Sequence, residues 1–225
     1  MCGRYALFSK KERIAKDFGI IKEPQVDFEP HYNISPGMHV PVVLQSKEGE
    51  KMITNLKWGL IPPWSEDQNI GYKMINARSE TITEKRSFSK PFQRQRCIIP
   101  ANGFYEWRKM GSDKIPFYIR TNDADLFGFA GIFEKWKSPE GTIIPSFSII
   151  TTNANTLLKP LHERMPVILS PQEYDLWLDN RTYDQKMLES MLNQYPMTQM
   201  SVYPVGKEVN KADQNNPQLI HPIEQ

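Results

Sequence analysis

Cysteine is scarce in this sequence: the 225 residues hold two, Cys2 and Cys97. Two thiols cannot build a four-thiolate metal site, and neither a C-x-x-C nor an H-x-x-x-H spacing occurs, so no metal and no other cofactor is expected. A lone disulfide would suit a cytosolic chain poorly, which favours two free thiols. Long apolar runs are missing too, since none reaches the ~18 residues needed to cross a bilayer. The first residues are polar and charged instead of forming the apolar core of a signal peptide. A soluble cytoplasmic protein without a membrane partner is therefore expected. Charge of one sign is also lacking: a net +2 excludes a protein that coats a polyanion with its whole surface. No repeat period, low-complexity tract or linker divides the chain, which predicts a single domain over residues 1–225, by default a monomer.

What is present is a series of short β-like runs punctuated by Pro, Gly and Asn. VPVVLQS, KMITNLKWGL, RCIIPANGFYEW, IPFYIRT, LFGFAGIFEKW, IPSFSIITT and MPVILS all read as strands. Helices are few. SKKERIAKDFG offers Ser9 as N-cap, Glu12 as its capping-box partner and Gly19 as a stop. SPQEYDLWL repeats the logic with Ser170, Pro171 and Glu173, with Leu176 and Trp177 turned inward, and DQKMLESMLNQY follows as another helix. The pattern predicts an α+β fold, a bent β-sheet or open β-barrel core with a few peripheral helices.

The most reactive feature is at the start. If Met1 is removed, Cys2 carries a free amine and a thiol on adjacent carbons, titrating near ~8 and ~8.5 respectively, so both nucleophilic forms are partly populated near neutral pH. A 1,2-aminothiol can condense with an aldehyde through nitrogen and close a thiazolidine ring through sulfur. It can equally act as an N-terminal nucleophile in peptide or amide hydrolysis, with the amine as base. The plain alternative is a small residue that merely permits methionine excision.

Further candidates are scattered. Glu106 lies among aromatics in GFYEWRK, where desolvation would suit it to proton transfer; strand alternation turns Tyr105 and Trp107 away from it, and pairing with Arg108 is the bland reading. His162, in KPLHERMPVIL, precedes a strand-like run and has Glu163 and Arg164 to tune it, or is simply a surface histidine. NARSE places Asn76 and Arg78 two residues apart, an amide and a guanidinium suited to a polar group and a phosphate, although such residues also satisfy loops. From Lys73 to Arg96, Lys73, Arg78, Lys85, Arg86, Lys90, Arg94 and Arg96 face only Glu80 and Glu84, a basic stretch fit for phosphates or a solvated loop. Trp64, beyond a Pro pair, is placed on an exposed loop where it could stack on a base, whereas Trp58 belongs to the core.

MCGRYA, HYNISPG, WGLIPPW, INARSET, IIPANGFYEW and LHERMPVIL, in this order, resemble the SRAP (SOS response-associated peptidase) family along the whole chain. The resemblance implies a positively charged groove for single-stranded DNA containing abasic sites. It implies that Cys2, exposed by loss of Met1, forms a thiazolidine DNA-protein cross-link with the ring-opened abasic aldehyde, with lyase-type Schiff-base chemistry and autopeptidase activity alongside. By motif, Asn76 would position the aldehyde or amine, Glu106 would shuttle protons, and His162 would help open the sugar and reverse the cross-link. Arg4, Arg78, Arg164 and Arg86 would grip phosphates, and Trp64 would stack. The rival readings are a peptidase or amidohydrolase using Cys2, and a non-catalytic DNA binder.

Overall fold

Strand follows strand wherever Val, Ile, Phe and Tyr cluster between prolines and glycines, because such side chains pack well on a pleated surface. The computed structural model describes residues 2–22, 26–111 and 113–223. In chain order the elements are β1 (Tyr5–Leu7), α1 (Lys11–Asp17), β2 (His31–Ile34), β3 (His39–Gln45), β4 (Lys51–Trp58) and β5 (Asn76–Arg78). They continue as α2 (Ser89–Arg94), β6 (Arg96–Ala101), β7 (Gly103–Met110), β8 (Asp113–Thr121), β9 (Phe127–Lys137) and β10 (Ile143–Asn153). The last are β11 (Arg164–Pro166), β12 (Ile168–Leu169), α3 (Tyr174–Leu178), α4 (Gln185–Ser190) and β13 (Met200–Pro204).

The architecture is α+β around a barrel. Strands β4, β3, β6, β9 and β10 pair in that order, and β10 returns to β4 through a parallel contact, so the ring is closed. Closure removes the exposed edges that an open sheet would present. A second, antiparallel sheet runs β13-β8-β7-β1-β2. Its inner face carries Tyr5, Leu7, Ile34, Phe104 and Ile119 into the main core, while Ala6, Tyr105 and Tyr118 on its outer face are covered by Val205, Val209 and Leu219 from the C-terminal segment.

RCIIPANGFYEW is two strands, not one. The break is Asn102, 3% exposed, whose Oδ1 accepts from the Phe8 and Ser9 N–H groups and whose Nδ2 donates to Ser9 Oγ and the Asp125 carbonyl. This knot carries the chain from the barrel into the second sheet. It also engages the Ser9 hydroxyl, so α1 begins later than predicted, with Lys10 at its N-cap and no side-chain cap bond. Gly103 follows because a Cβ there would lie 2.2 Å from the Tyr118 hydroxyl and 2.8 Å from the Ile119 carbonyl oxygen. The Ser170 and Glu173 capping box forms as read, but Leu176 points outward at 50% exposed while Trp177 is buried.

The basic stretch is not a simple loop: β5, a 3-10 turn and α2 run through it. Arg96 does not belong to any phosphate-binding surface. It is fully buried, and its guanidinium donates to the carbonyls of Trp177, Phe92, Gln93, Asp179 and Thr182, tying β6 to α2 and the α3 C-terminus. Burial pushes its pKa down to about 10. Arg96→Ala strands those carbonyls without donors and is expected to cost about 3–5 kcal/mol of unfolding free energy in urea titrations, far more than any exposed arginine of the stretch.

Candidate active site

Cys2 sits just ahead of β1, and the register of β1 with β7 decides its neighbours. Tyr5 pairs with Phe104 and Ala6 with Gly103, and the Tyr105 N–H donates to the Arg4 carbonyl at 3.0 Å. Continued by one step, the ladder puts residue 3 opposite Glu106, so the chain start and this carboxylate share one end of the sheet. Glu106 faces inward with Phe104, while Tyr105 and Trp107 belong to the outer layer. Arg108 is not drawn to it as a surface partner; its guanidinium lies 4.9 Å from the centre of the Phe117 ring.

Burial dominates the electrostatics. Cys2 is fully buried and Glu106 5% exposed. Desolvation pushes the Glu106 pKa up to about 7, and desolvation first, then the Glu106 charge, pushes the Cys2 thiol far above its ordinary range. Two acids in one dry site cannot both ionise cheaply, so a proton resident on one of them near neutrality is the natural state.

Asn76 closes the site from the barrel side. It is the first residue of β5, which pairs in parallel with Ile149–Thr151 of β10, and its Nδ2 donates to the Cys2 carbonyl at 2.9 Å. Its Oδ1 is buried and accepts no hydrogen bond among the described residues. His162 is in the turn before β11, half-buried, its pKa lowered mainly by burial. The Arg164 backbone N–H donates to His162 Nδ1 at 2.9 Å, which leaves Nε2 to carry the proton of the neutral ring.

The four arginines differ. Arg78 and Arg86 are exposed, and the Arg86 guanidinium lies 5.1 Å from the centre of the Trp64 ring, itself 44% exposed. Arg4 uses Nη1 on Asn33 Oδ1 and the Val209 carbonyl, anchoring the C-terminal segment. Arg164 is 9% exposed and grips Glu80 with both terminal nitrogens. The sequence signals Glu80 only as a carboxylate within NARSE, inside a basic stretch.

A sequence model of the family described as SOS response associated peptidase (SRAP) matches residues 1–212. The chain belongs to the SRAP family. Among its SRAP relatives, the abasic site processing protein YoqW of Bacillus subtilis is 43% identical over 98% of this chain and 99% of its own length. The abasic site processing protein HMCES of Xenopus tropicalis is 30% identical, with 87% of this chain and 67% of that protein aligned. A crystal structure of a protein from Bacteroides thetaiotaomicron superposes with a TM-score of 0.90 at 29% identity, covering 99% of this chain and all of that one. Among the described residues, no helix is long and apolar enough to cross a membrane. Met1, whose removal the expected aminothiol at Cys2 would require, lies outside the described residues.

Proposed function

We propose that this SRAP protein processes abasic sites in single-stranded DNA by forming a thiazolidine cross-link through Cys2 once Met1 is gone. The observation that carries the reading is the meeting of the chain start, Asn76 and a buried Glu106 whose pKa is pushed up to about 7 by desolvation. The relatives named for abasic site processing support it.

The steps balance as follows. The Cys2 amine adds to the C1′ aldehyde of the ring-opened sugar, giving a carbinolamine. Neutral Glu106 gives its proton to the departing hydroxyl, water leaves, and an iminium remains beside a carboxylate. That carboxylate takes the proton of the Cys2 thiol, and the sulfur adds to the iminium carbon. The product is a neutral thiazolidine, one water has been lost, and Glu106 is again protonated. An acid that serves in both directions works best with a pKa near the working pH, which burial supplies. Asn76 Oδ1, still without a donor, suits the new amine or the carbinolamine hydroxyl. His162 Nε2–H suits the ring oxygen that must leave C1′ when the sugar opens, and the same group would assist reversal.

Abasic sites offer no base to read, so affinity falls to phosphates and neighbouring bases. Arg78 and Arg86 present exposed guanidinium groups, the latter lying against one face of the Trp64 ring, whose other face would be left to stack on a base. Arg4, its guanidinium held by neutral acceptors inside the protein, would add positive potential to the groove more than a mobile grip, whereas the Arg164 charge is balanced by Glu80 and would reach a phosphate only if that pair opened.

Intact mass spectrometry tests this directly. The purified chain is expected to lack the mass of Met1 and to gain a heat-stable adduct with an oligonucleotide carrying one abasic site, but none with an undamaged strand. Loss of Met1 without any adduct would overturn the cross-linking reading and advance an amide hydrolase that uses the same cysteine.

A further inference from the structure

Past the point where β4 and β9 stop pairing with it, β10 is flanked by two strands of three residues each. Thr151 pairs with Arg78 of β5 on one edge and with Pro166 of β11 on the other. Such short ladders fix their strands weakly, yet they carry Asn76 and position His162. The Arg164 side chain crosses between them. From β11, opposite Asn153, Arg164 extends over β10: Nη2 donates to the Thr151 carbonyl at 2.6 Å and Nη1 to Asn153 Oδ1 at 3.0 Å. Its two terminal nitrogens then meet Glu80 Oε1 at 2.6 Å and Oε2 at 2.8 Å, in the 3-10 turn that follows β5.

This bidentate pair is planar and directional, and it is held by a guanidinium withdrawn from water. At the Arg164 end, the same residue's backbone N–H fixes His162 Nδ1. At the Glu80 end, the turn continues directly from the strand whose Asn76 holds the Cys2 carbonyl. We infer that Glu80 is a positioning residue for the Cys2 site, acting through Arg164 to hold the His162 ring and the Asn76 amide at a fixed separation. The inference rests on the cross-linking reading above for its kinetic consequence. Because its carboxylate is engaged by Arg164, Glu80 is expected to govern the rate of the chemical step, and its loss is expected not to weaken strand affinity.

The test compares wild type, Glu80→Gln and Glu80→Asp in single-turnover reactions with a single-stranded oligonucleotide bearing one abasic site. Glu80 is partly exposed, so both variants are expected to fold, which melting temperatures check. Glu80→Gln is expected to lower the saturating rate about tenfold, as small displacements of reacting groups do, with the half-saturating strand concentration no higher than that of wild type, since the uncovered Arg164 charge favours DNA. Glu80→Asp, which keeps the charge but shortens the reach, is expected to fall between. A wild-type saturating rate in whichever variant folds, or a weakened affinity with unchanged rate, overturns the inference. Nitrogen-15 spectra of His162 supply a readout independent of DNA: the Nδ1 acceptor signal of the wild type is expected to shift in Glu80→Gln. If wild type forms no adduct, the cross-linking reading falls, and an unshifted His162 signal still decides against Glu80.

Discussion

A Cys2→Ala protein that has lost Met1 is expected to form no heat-stable adduct with abasic single-stranded DNA, while still forming an imine that borohydride traps. The alanine amine remains a nucleophile toward the aldehyde, but no sulfur is available to close the ring. An open imine activates the neighbouring carbon for β-elimination, so strand cleavage at the abasic site is expected to rise as the stable cross-link disappears. Denaturing gels read both products from one reaction. The fold survives because the lost sulfur is a small part of a large core, costing about 1 kcal/mol. Persistence of the heat-stable adduct in Cys2→Ala would place the chemistry elsewhere. Loss of the trapped imine together with the adduct would instead mark Cys2 as a structural element of the DNA site.

Glu106→Gln is expected to slow adduct formation by about a hundredfold or more while making the protein more stable at alkaline pH. The two effects share one cause. Burial raises the folded-state pKa of Glu106 to about 7, whereas in the unfolded chain it ionises as an ordinary carboxylate. Between those two pKa values the unfolded state releases a proton that the folded state keeps, so wild-type stability falls as pH rises through this window. Above about 7 the whole penalty is present, on the order of 3 kcal/mol for a displacement of this size. Glutamine resembles the neutral acid at every pH. Its melting temperature is expected to match wild type at acidic pH and exceed it at alkaline pH, and the inflection near neutrality in the wild-type pH–rate profile is expected to vanish. Equal stability of the two proteins across the whole range would show that Glu106 ionises normally.

These consequences were not all legible in the chain. Spacing alone marked GFYEWRK as a strand with Glu106 turned away from Tyr105 and Trp107, and that alternation holds. It could not tell that both faces of this sheet are covered, because the segment that covers the outer face arrives some hundred residues later, with Val205, Val209 and Leu219. Nor could it tell which face turns toward the barrel: a carboxylate on a solvated face would be unremarkable, whereas Glu106, on the face of Phe104, is desolvated and its pKa is pushed up to about 7. The arginines show the same division. A basic stretch reads identically whether a guanidinium faces water, as Arg78 does, or is buried and satisfies five backbone carbonyls, as Arg96 does.

By itself the sequence determined the strands and most helices, since alternation, turn residues and capping boxes act over a few positions. It also determined that Cys2 follows directly on Met1, so that removal of one residue would leave an aminothiol, which is a matter of covalent structure. Only the tertiary structure decided that the barrel closes, that Asn102 splits one apolar run into two strands, that the Asn76 amide meets the Cys2 carbonyl, and that Arg164 of β11 grips Glu80 across β10. Each of these depends on which distant segments touch, and therefore on desolvation and hydrogen bonding between groups far apart in the chain.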